Sequence, residues 1–456
     1  MKSIGIDIGT TTICGIVLDI QTGRVLQSKT ISNSASLSGS CSYERLQDPE
    51  LIIRAVFRIY EGFTAKYQDI VSLGLTGQMH GIVYTDQAGQ AASPLYTWLD
   101  ERGNQAMEDG QTYAETLSAK TGYPMATGFG MATHYWHTLH HSIPSNAVSF
   151  CTIQDYAAMR LTSLAAPLVH VSDAASFGCC RMDHHGFDTQ VLQAAGIDTG
   201  LLPAVTADMR IMGVTADQIP VSVSIGDNQA SFIGSVQDME HTVLVNVGTG
   251  SQISLGTDQI TPCSGIELRP CAGGTYLFAG SCLCGGRAYA ALEQFFRECA
   301  EMVTGSPAER VYSQMDQLLC TRRPSGKLKV DTRFAGTREA PSLTGSVSSL
   351  TLETFHPADF IYGVLDGIAG ELFDYYQLIC RSKGMPAQKM VGSGNGIRMN
   401  RNLQRILREK FQMDLSIPCH QEEASYGAAL FSVVSAGYYP SLADAQKIIR
   451  YIDVNF

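Results

Sequence analysis

Two strand–loop–strand units, set about half the chain apart, constrain this sequence more than any other feature. In the first, Ile4, Ile6 and Ile8 alternate with small or polar residues, Gly9-Thr10-Thr11-Thr12 breaks the alternation, and the apolar run 13–18 resumes it. In the second, Val243, Val245 and Val247 alternate, Gly248-Thr249-Gly250-Ser251 interrupts, and Ile253-Ser254-Leu255 continues. A period of two is the strand signature. Each unit therefore reads as a β-hairpin bent at a glycine–threonine loop. At 456 residues the chain is too long for one core. The two similar units suggest two related domains, with the join near residues 231–238.

The second half carries helical patterning. Pro357 opens a segment in which Phe360, Val364, Ile368 and Leu372 recur every four residues, and Gly384 lies just past its end. Met390-Val391 reads as a strand, Arg401–Phe411 as a helix, Leu415–Pro418 as a strand and 425–436 as a last helix. Gly427, Ala428 and Ala429 give that helix a small face for close packing.

Composition excludes several classes. A hydrophobic fraction of 45% with 16% charged residues belongs to a well-buried globular protein. The net charge of −11 comes without any lysine- or arginine-rich block, which argues against a nucleic-acid partner. The 13 cysteines are scattered, with no CxxC pair, and the amino terminus reads as a strand instead of a secretory leader. Reduced thiols in the cytoplasm are the expectation. No apolar run reaches the roughly 18 residues of a membrane span.

The loops carry the chemistry. Glycine lets backbone approach a phosphate, threonine hydroxyls and backbone amides donate to its oxygens, and the Asp7 carboxylate suits a hydrated Mg²⁺. Gly392-Ser393-Gly394-Asn395-Gly396, between a strand and a helix, is a third such loop. No GxxxxGK[ST] sequence is present, so this is not a Walker site. Ile225-Gly226-Asp227-Asn228-Gln229 lies between the phosphate loops, and Asp227 is either a base for an alcohol or a helix N-cap. Gly77-Gln78-Met79-His80-Gly81 offers an amide and an imidazole to sugar hydroxyls. Asp100, in Trp98-Leu99-Asp100-Glu101-Arg102, either meets the sugar or pairs with Arg102. His134, His137, His140 and His141 have spacings that suit a metal, or else line an exposed helix face.

Taken in order, Asp7-Ile8-Gly9-Thr10-Thr11, Gly77-Gln78-Met79-His80-Gly81, Trp98-x-Asp100-x-Arg102, Gly226-Asp227-Asn228-Gln229, Gly248-Thr249-Gly250 and Gly392-Ser393-Gly394 resemble the FGGY carbohydrate kinases. Within that family the sedoheptulokinase branch is most similar, through 152–156, 172–178 and 424–430. Xylulokinases share Gln78-Met79-His80 and compete with it.

The resemblance implies two ribonuclease H-like α/β domains of the actin and sugar-kinase superfamily flanking a deep cleft. Residues 1–235 would carry the sugar site and first phosphate loop, and 236–456 the nucleotide site. It implies ATP and Mg²⁺ as cofactors and transfer of phosphate to a terminal primary hydroxyl of a ketose. Sedoheptulose is the first expectation, xylulose or ribulose the alternative, and an actin- or chaperone-type ATPase the rival from another class. By this resemblance Asp227 is the catalytic base, and Gln78, Met79, His80, Asp100 and Asn228 line the sugar. Thr10, Thr11, Thr12, Gly248, Thr249, Gly285, Gly286, Gly392, Ser393, Gly394 and Asn395 approach the nucleotide, and Asp7 the metal. A homodimer is a further implication. Cys282 and Cys284, just before the nucleotide glycines, depart from the family pattern.

Overall fold

The computed structural model describes residues 1–183, 186–337, 340 and 342–453. The chain forms two compact units. One comprises Met1–Gln237, Arg269–Tyr276 and Glu422–Arg450; the other comprises Asp238–Leu268, Leu277–Gln421 and the chain from Tyr451.

In the first unit the opening hairpin is β1 (Lys2–Ile8) and β2 (Thr12–Asp19), followed by β3 (Val25–Ser32) and β4 (Ile70–Gly77). β5 (Ile211–Val214), β6 (Pro220–Ser222) and β7 (Ile225–Gly226) complete a sheet in the order β5-β6-β4-β1-β2-β3, with β7 also on β4. β1, β4 and β7 run parallel. Their ends fall in one row, because Ile8 pairs with Gly77 and Gly77 with Gly226. The chain leaving these three strands carries Gly9–Thr11 and Gln78–His80 in loops and Asp227–Gln229 in the first turn of a helix. Loops at the carboxyl ends of parallel strands are the usual ligand side of an open α/β sheet. Ile4, Ile6 and Ile8 are fully buried within this unit's core.

Two helices fix that edge. The Asp227–Ser235 helix follows β7 directly, and the Glu423–Ser435 helix crosses it and lies on β1 and β4. The crossing uses glycine on both sides. A Cβ on Gly427 would run into the backbone of Ala230 and Gly234, and Cβ atoms on Gly5 and Gly74 would run into the backbone of Ser425 and Ala428. Ser3, Ser72 and Ser432 close a buried hydroxyl triangle on the same face, at 2.9–3.0 Å. Gly427→Ala is therefore expected to lower the unfolding free energy by about 1–3 kcal/mol, the usual cost of overpacking a tight core contact. Chemical denaturation reads this directly; an unchanged midpoint would mean the helices separate freely.

The second unit repeats the hairpin as β8 (Thr242–Val247) and β9 (Ser251–Thr257), paired antiparallel. With β10 (Tyr276–Cys282), β11 (Lys389–Ser393), β12 (Leu415–Pro418) and β13 (Tyr451–Asp453) the order is β10-β9-β8-β11-β12-β13. The Pro357–Lys383 helix packs on it, with proline in its first turn and Gly384 as a left-handed C-cap at φ 77°. Both ends follow the sequence signals. The Arg401–Phe411 helix also keeps its expected bounds. Among the described residues, no helix is long and apolar enough to cross a membrane.

Candidate active site

Asp227 occupies the first turn of its helix, and Gly226 is the N-cap, held in extended backbone without a side-chain bond. The capping alternative thus falls away, and the Asp227 carboxylate is left for another task. Burial raises its pKa to about 6, against the pull of the Arg269 guanidinium and a bond from the Asn228 backbone. Asp7 lies on β1, one residue before the row of strand ends. Burial, then Asp227, then Glu422 raise its pKa to about 7. Glu422 is the N-cap residue of the helix that crosses beneath. Two further carboxylates thus act on a buried Asp7 at the end of a parallel strand, which favours its protonated form or a nearby cation.

Behind Asp227 lies a buried polar network. Asp155 forms a capping box with Thr152 at the start of the Ile153–Thr162 helix and accepts the Ser224 hydroxyl. Asp173 is fully buried and accepts from Gln154 Nε2 at 3.0 Å, while its Oδ2 has no partner. Burial first, then Asp155, raise Asp173 well above the usual carboxylate range. Ser172 Oγ accepts the Gly226 amide at 3.1 Å, which ties the network to the strand that delivers Asp227.

On the expected sugar side, Met79 is buried, and its sulfur would meet a Cβ on Gly226. Glycine at 226 is what lets the two approach. His80 adopts a left-handed φ of 72°. Its backbone amide donates to Ser176 Oγ, its Nδ1 bonds Ser176 O at 2.7 Å, and its ring stacks on Phe129 at 4.6 Å. A non-glycine residue held in this region by its surroundings is a common mark of a ligand site. Asn228 Oδ1 is buried without a donor.

Asp100 differs from the sugar-lining expectation. It is fully buried, and it accepts Arg102 Nε at 2.6 Å and Nη2 at 3.2 Å, plus the amides of Arg45 and Arg102. Both oxygens are occupied inside the protein. Its carboxylate therefore braces the loop, the ion-pair alternative weighed for it. Arg102 in turn lies over the rings of Tyr96 and Trp136 and donates to His137 Nε2 at 2.6 Å.

The histidine run matches neither of its two readings in full. His134 and His137 are buried, bonded to Tyr84 and to Arg102 with Ser142, and burial lowers them to about 4 and about 3. They are neutral core residues. His140 is exposed and stacks on Trp136 at 4.0 Å. Among the described residues, no group of three or more His, Cys, Asp or Glu is arranged to hold a metal.

In the second unit the remaining expected residues converge. Asn246 and Ser393 are partners across β8 and β11, and Asn246 Nδ2 donates to Ser393 Oγ at 2.8 Å. The glycine–threonine loop and the Gly392–Asn395 loop thus leave adjacent parallel strands. Gly286 N donates to Gly248 O at 2.9 Å and Arg287 N to Thr249 O at 3.0 Å, so the start of the Gly286–Thr304 helix braces the loop. A Cβ on Gly285 or Gly286 would strike the loop backbone at Gly250 or Gly248. An open cavity of about 260 Å³ is lined by Asn246, 248–252, Ser281 and Cys282. Burial pushes the Cys282 thiol far up, so it adds no charge there.

Arg269 and Glu422 join the site without having been singled out in the sequence. The residues around Arg269 carry no motif. Glu422 stands just ahead of the helix expected from 425, and its acidic start was the available signal.

The FGGY family of carbohydrate kinases, N-terminal domain, matches residues 3–244, and its C-terminal domain matches 244–436. A protein named sedoheptulokinase from Mus musculus is 26% identical over 94% of this chain and 96% of its own length. A xylulose kinase from Staphylococcus xylosus is 22% identical over 96% and 91%. A ligand-bound xylulose kinase structure from Lactobacillus acidophilus superposes with a TM-score of 0.84 at 20% identity, covering 100% of this chain and 93% of that one. Plasmodium falciparum glycerol kinase with ADP gives 0.82 at 16%, covering 98% and 92%. The fold is that of the actin and sugar-kinase superfamily, and with both family domains matched along 3–436 the chain belongs to the FGGY family of carbohydrate kinases.

Proposed function

We propose that this carbohydrate kinase transfers the γ-phosphoryl group of ATP to a terminal primary hydroxyl of a ketose, with sedoheptulose the first candidate. One observation carries the reading: Asp227, at the end of a parallel strand and free of any capping duty, has a pKa raised to about 6 by burial. Such a carboxylate is ionised at neutral pH yet basic enough to accept an alcohol proton as the oxygen attacks phosphorus. The choice of ketose rests on the two mammalian sedoheptulokinases that match nearly the whole chain.

The roles follow. Asp227 takes the proton, Met79, His80 and Asn228 surround the sugar, and Gln78 reaches it through its amide. Thr10, Thr11 and Thr12 receive phosphate oxygens. Gly248, Thr249, Gly285 and Gly286 shape the second phosphate loop, and Gly392, Ser393, Gly394 and Asn395 the nucleoside side. Asp100 acts through Arg102 by holding the Trp98 loop. Asp7 fits a magnesium ion: burial and then the Asp227 and Glu422 carboxylates raise its pKa to about 7, and Mg²⁺ takes one or two carboxylates with substrate phosphates instead of a protein cage. When bound, that ion offsets phosphate charge. The sugar site and first loop are proposed for 1–235, the nucleotide site for 236–456.

An ADP-release screen over ketoses and polyols of five to seven carbons tests the assignment. Sedoheptulose is expected to give the highest kcat/KM. A tenfold or greater preference for xylulose or ribulose would move the assignment to that pentulose, since one misplaced hydroxyl contact is worth about that much or more. ADP release that is equal with and without every sugar would overturn it.

A further inference from the structure

The first phosphate loop is wired to the expected sugar side by a closed ring of hydrogen bonds. Trp98 Nε1 donates to Thr10 Oγ1 at 3.0 Å, and Thr10 Oγ1 bonds Gln78 Oε1 at 3.3 Å. Gln78 Nε2 donates to Gln47 Oε1 at 2.9 Å, and Gln47 Nε2 donates to the Thr10 carbonyl at 2.9 Å.

The directions in this ring are forced by its fixed ends. A carbonyl only accepts, so Gln47 must turn its NH₂ to Thr10 and its oxygen to Gln78. Gln78 must then turn its own NH₂ to Gln47 and its oxygen to Thr10. An indole N–H only donates, so it occupies a lone pair of the Thr10 hydroxyl. The single hydroxyl proton of Thr10 is left with one destination, Gln78 Oε1. Neither glutamine can flip without setting two oxygens or two NH₂ groups against each other. Gln47 and Gln78 are both buried, which keeps water from relieving such a clash.

A phosphate oxygen needs that same proton. We propose that Gln47 and Trp98 are positioning residues that hold the Thr10 hydroxyl on Gln78, so that the phosphate loop gains this donor only when a sugar hydroxyl takes its place at Gln78. The inference rests on the reading that Gln78 meets the sugar and Thr10 the phosphate. Its consequence is suppression of ATP hydrolysis while no sugar is bound.

The test compares ATP hydrolysis without sugar to phosphorylation of the best sugar from the screen. Gln47→Met lets Gln78 flip and frees the Thr10 proton. It is expected to raise sugar-independent hydrolysis relative to sugar turnover about fivefold, the worth of one net hydrogen bond. Trp98→Phe is expected to shift the ratio the same way; Trp98 is 45% exposed, so this variant does not open the core. In a Thr10→Val background Gln47→Met is expected to have no further effect on the ratio, while Thr10→Ser retains it. An unchanged ratio in both variants, or a parallel fall of both activities, would overturn the coupling with sugar phosphorylation intact. A wild-type enzyme that phosphorylates none of the sugars would instead remove the underlying reading, and the coupling with it.

Discussion

Asp227→Asn is expected to lower kcat by about 10²–10⁴-fold, the range for a general base, while leaving the fold intact. The amide keeps the shape of the side chain and cannot accept the hydroxyl proton. Folding should tolerate the change, because Gly226 caps the helix through its backbone and Asp227 makes no capping bond. The wild-type pH profile supplies an independent signature. The base works only when ionised, so kcat/KM should fall as pH drops through about 6, where burial has moved the Asp227 carboxylate. Asp7, at about 7, titrates alongside it, which places the acid limb between these values. Steady-state kinetics with a circular-dichroism melt decide the matter. A folded Asp227→Asn variant with near-normal turnover would remove Asp227 from the chemistry.

Asp7→Asn should separate activity from stability. Turnover is expected to fall about 10²–10³-fold, the scale for losing one preorganised group that offsets charge in the transition state. The ligand-free protein should nonetheless become harder to unfold at neutral pH. The sign follows from linkage. Asp7 has a carboxyl pKa of 3.8 when free and about 7 in the fold. Between these values the folded state binds the extra proton, so stability declines as pH rises through the window. Asparagine removes that decline. The variant should melt about 2–4 °C higher at pH 8, the shift produced by roughly 1 kcal/mol, and match wild type below pH 4. Thermal melts at the two pH values check both halves. A variant less stable than wild type at pH 8 would show that Asp7 is not under charge strain. A site that gives up stability for function is common where like charges converge.

Local patterns were read well from the chain. The alternation at Ile4, Ile6 and Ile8 and at Val243, Val245 and Val247 became the two hairpins, and Pro357 and Gly384 bound the long helix in the structure as in the sequence. The small face at Gly427 proved to be a close helix crossing. These features depend on near neighbours in sequence, so period and punctuation reveal them. The site depends on distant ones. Glu422 lies beside Asp7 because a helix from the end of the chain returns to the first unit, and a single cut in the chain cannot express that return. Arg269 reaches Asp227 from a segment with no motif at all. The sequence left two readings open at Asp100, and the histidine run matched neither of its two in full, for a related reason. The same residue types serve a ligand or a buried ion pair, and only burial and partners separate the two. Burial first, and then Arg102, a neighbour 35 positions away, lower the His137 pKa to about 3.

The most direct test of the account is the phosphorus NMR spectrum of a reaction containing the enzyme, ATP, Mg²⁺ and sedoheptulose. The account predicts ADP together with one new phosphomonoester resonance, split by the two protons of a terminal CH₂ and absent with Asp227→Asn. ADP with inorganic phosphate alone, or a phosphomonoester coupled to a single proton of a secondary carbon, would contradict it.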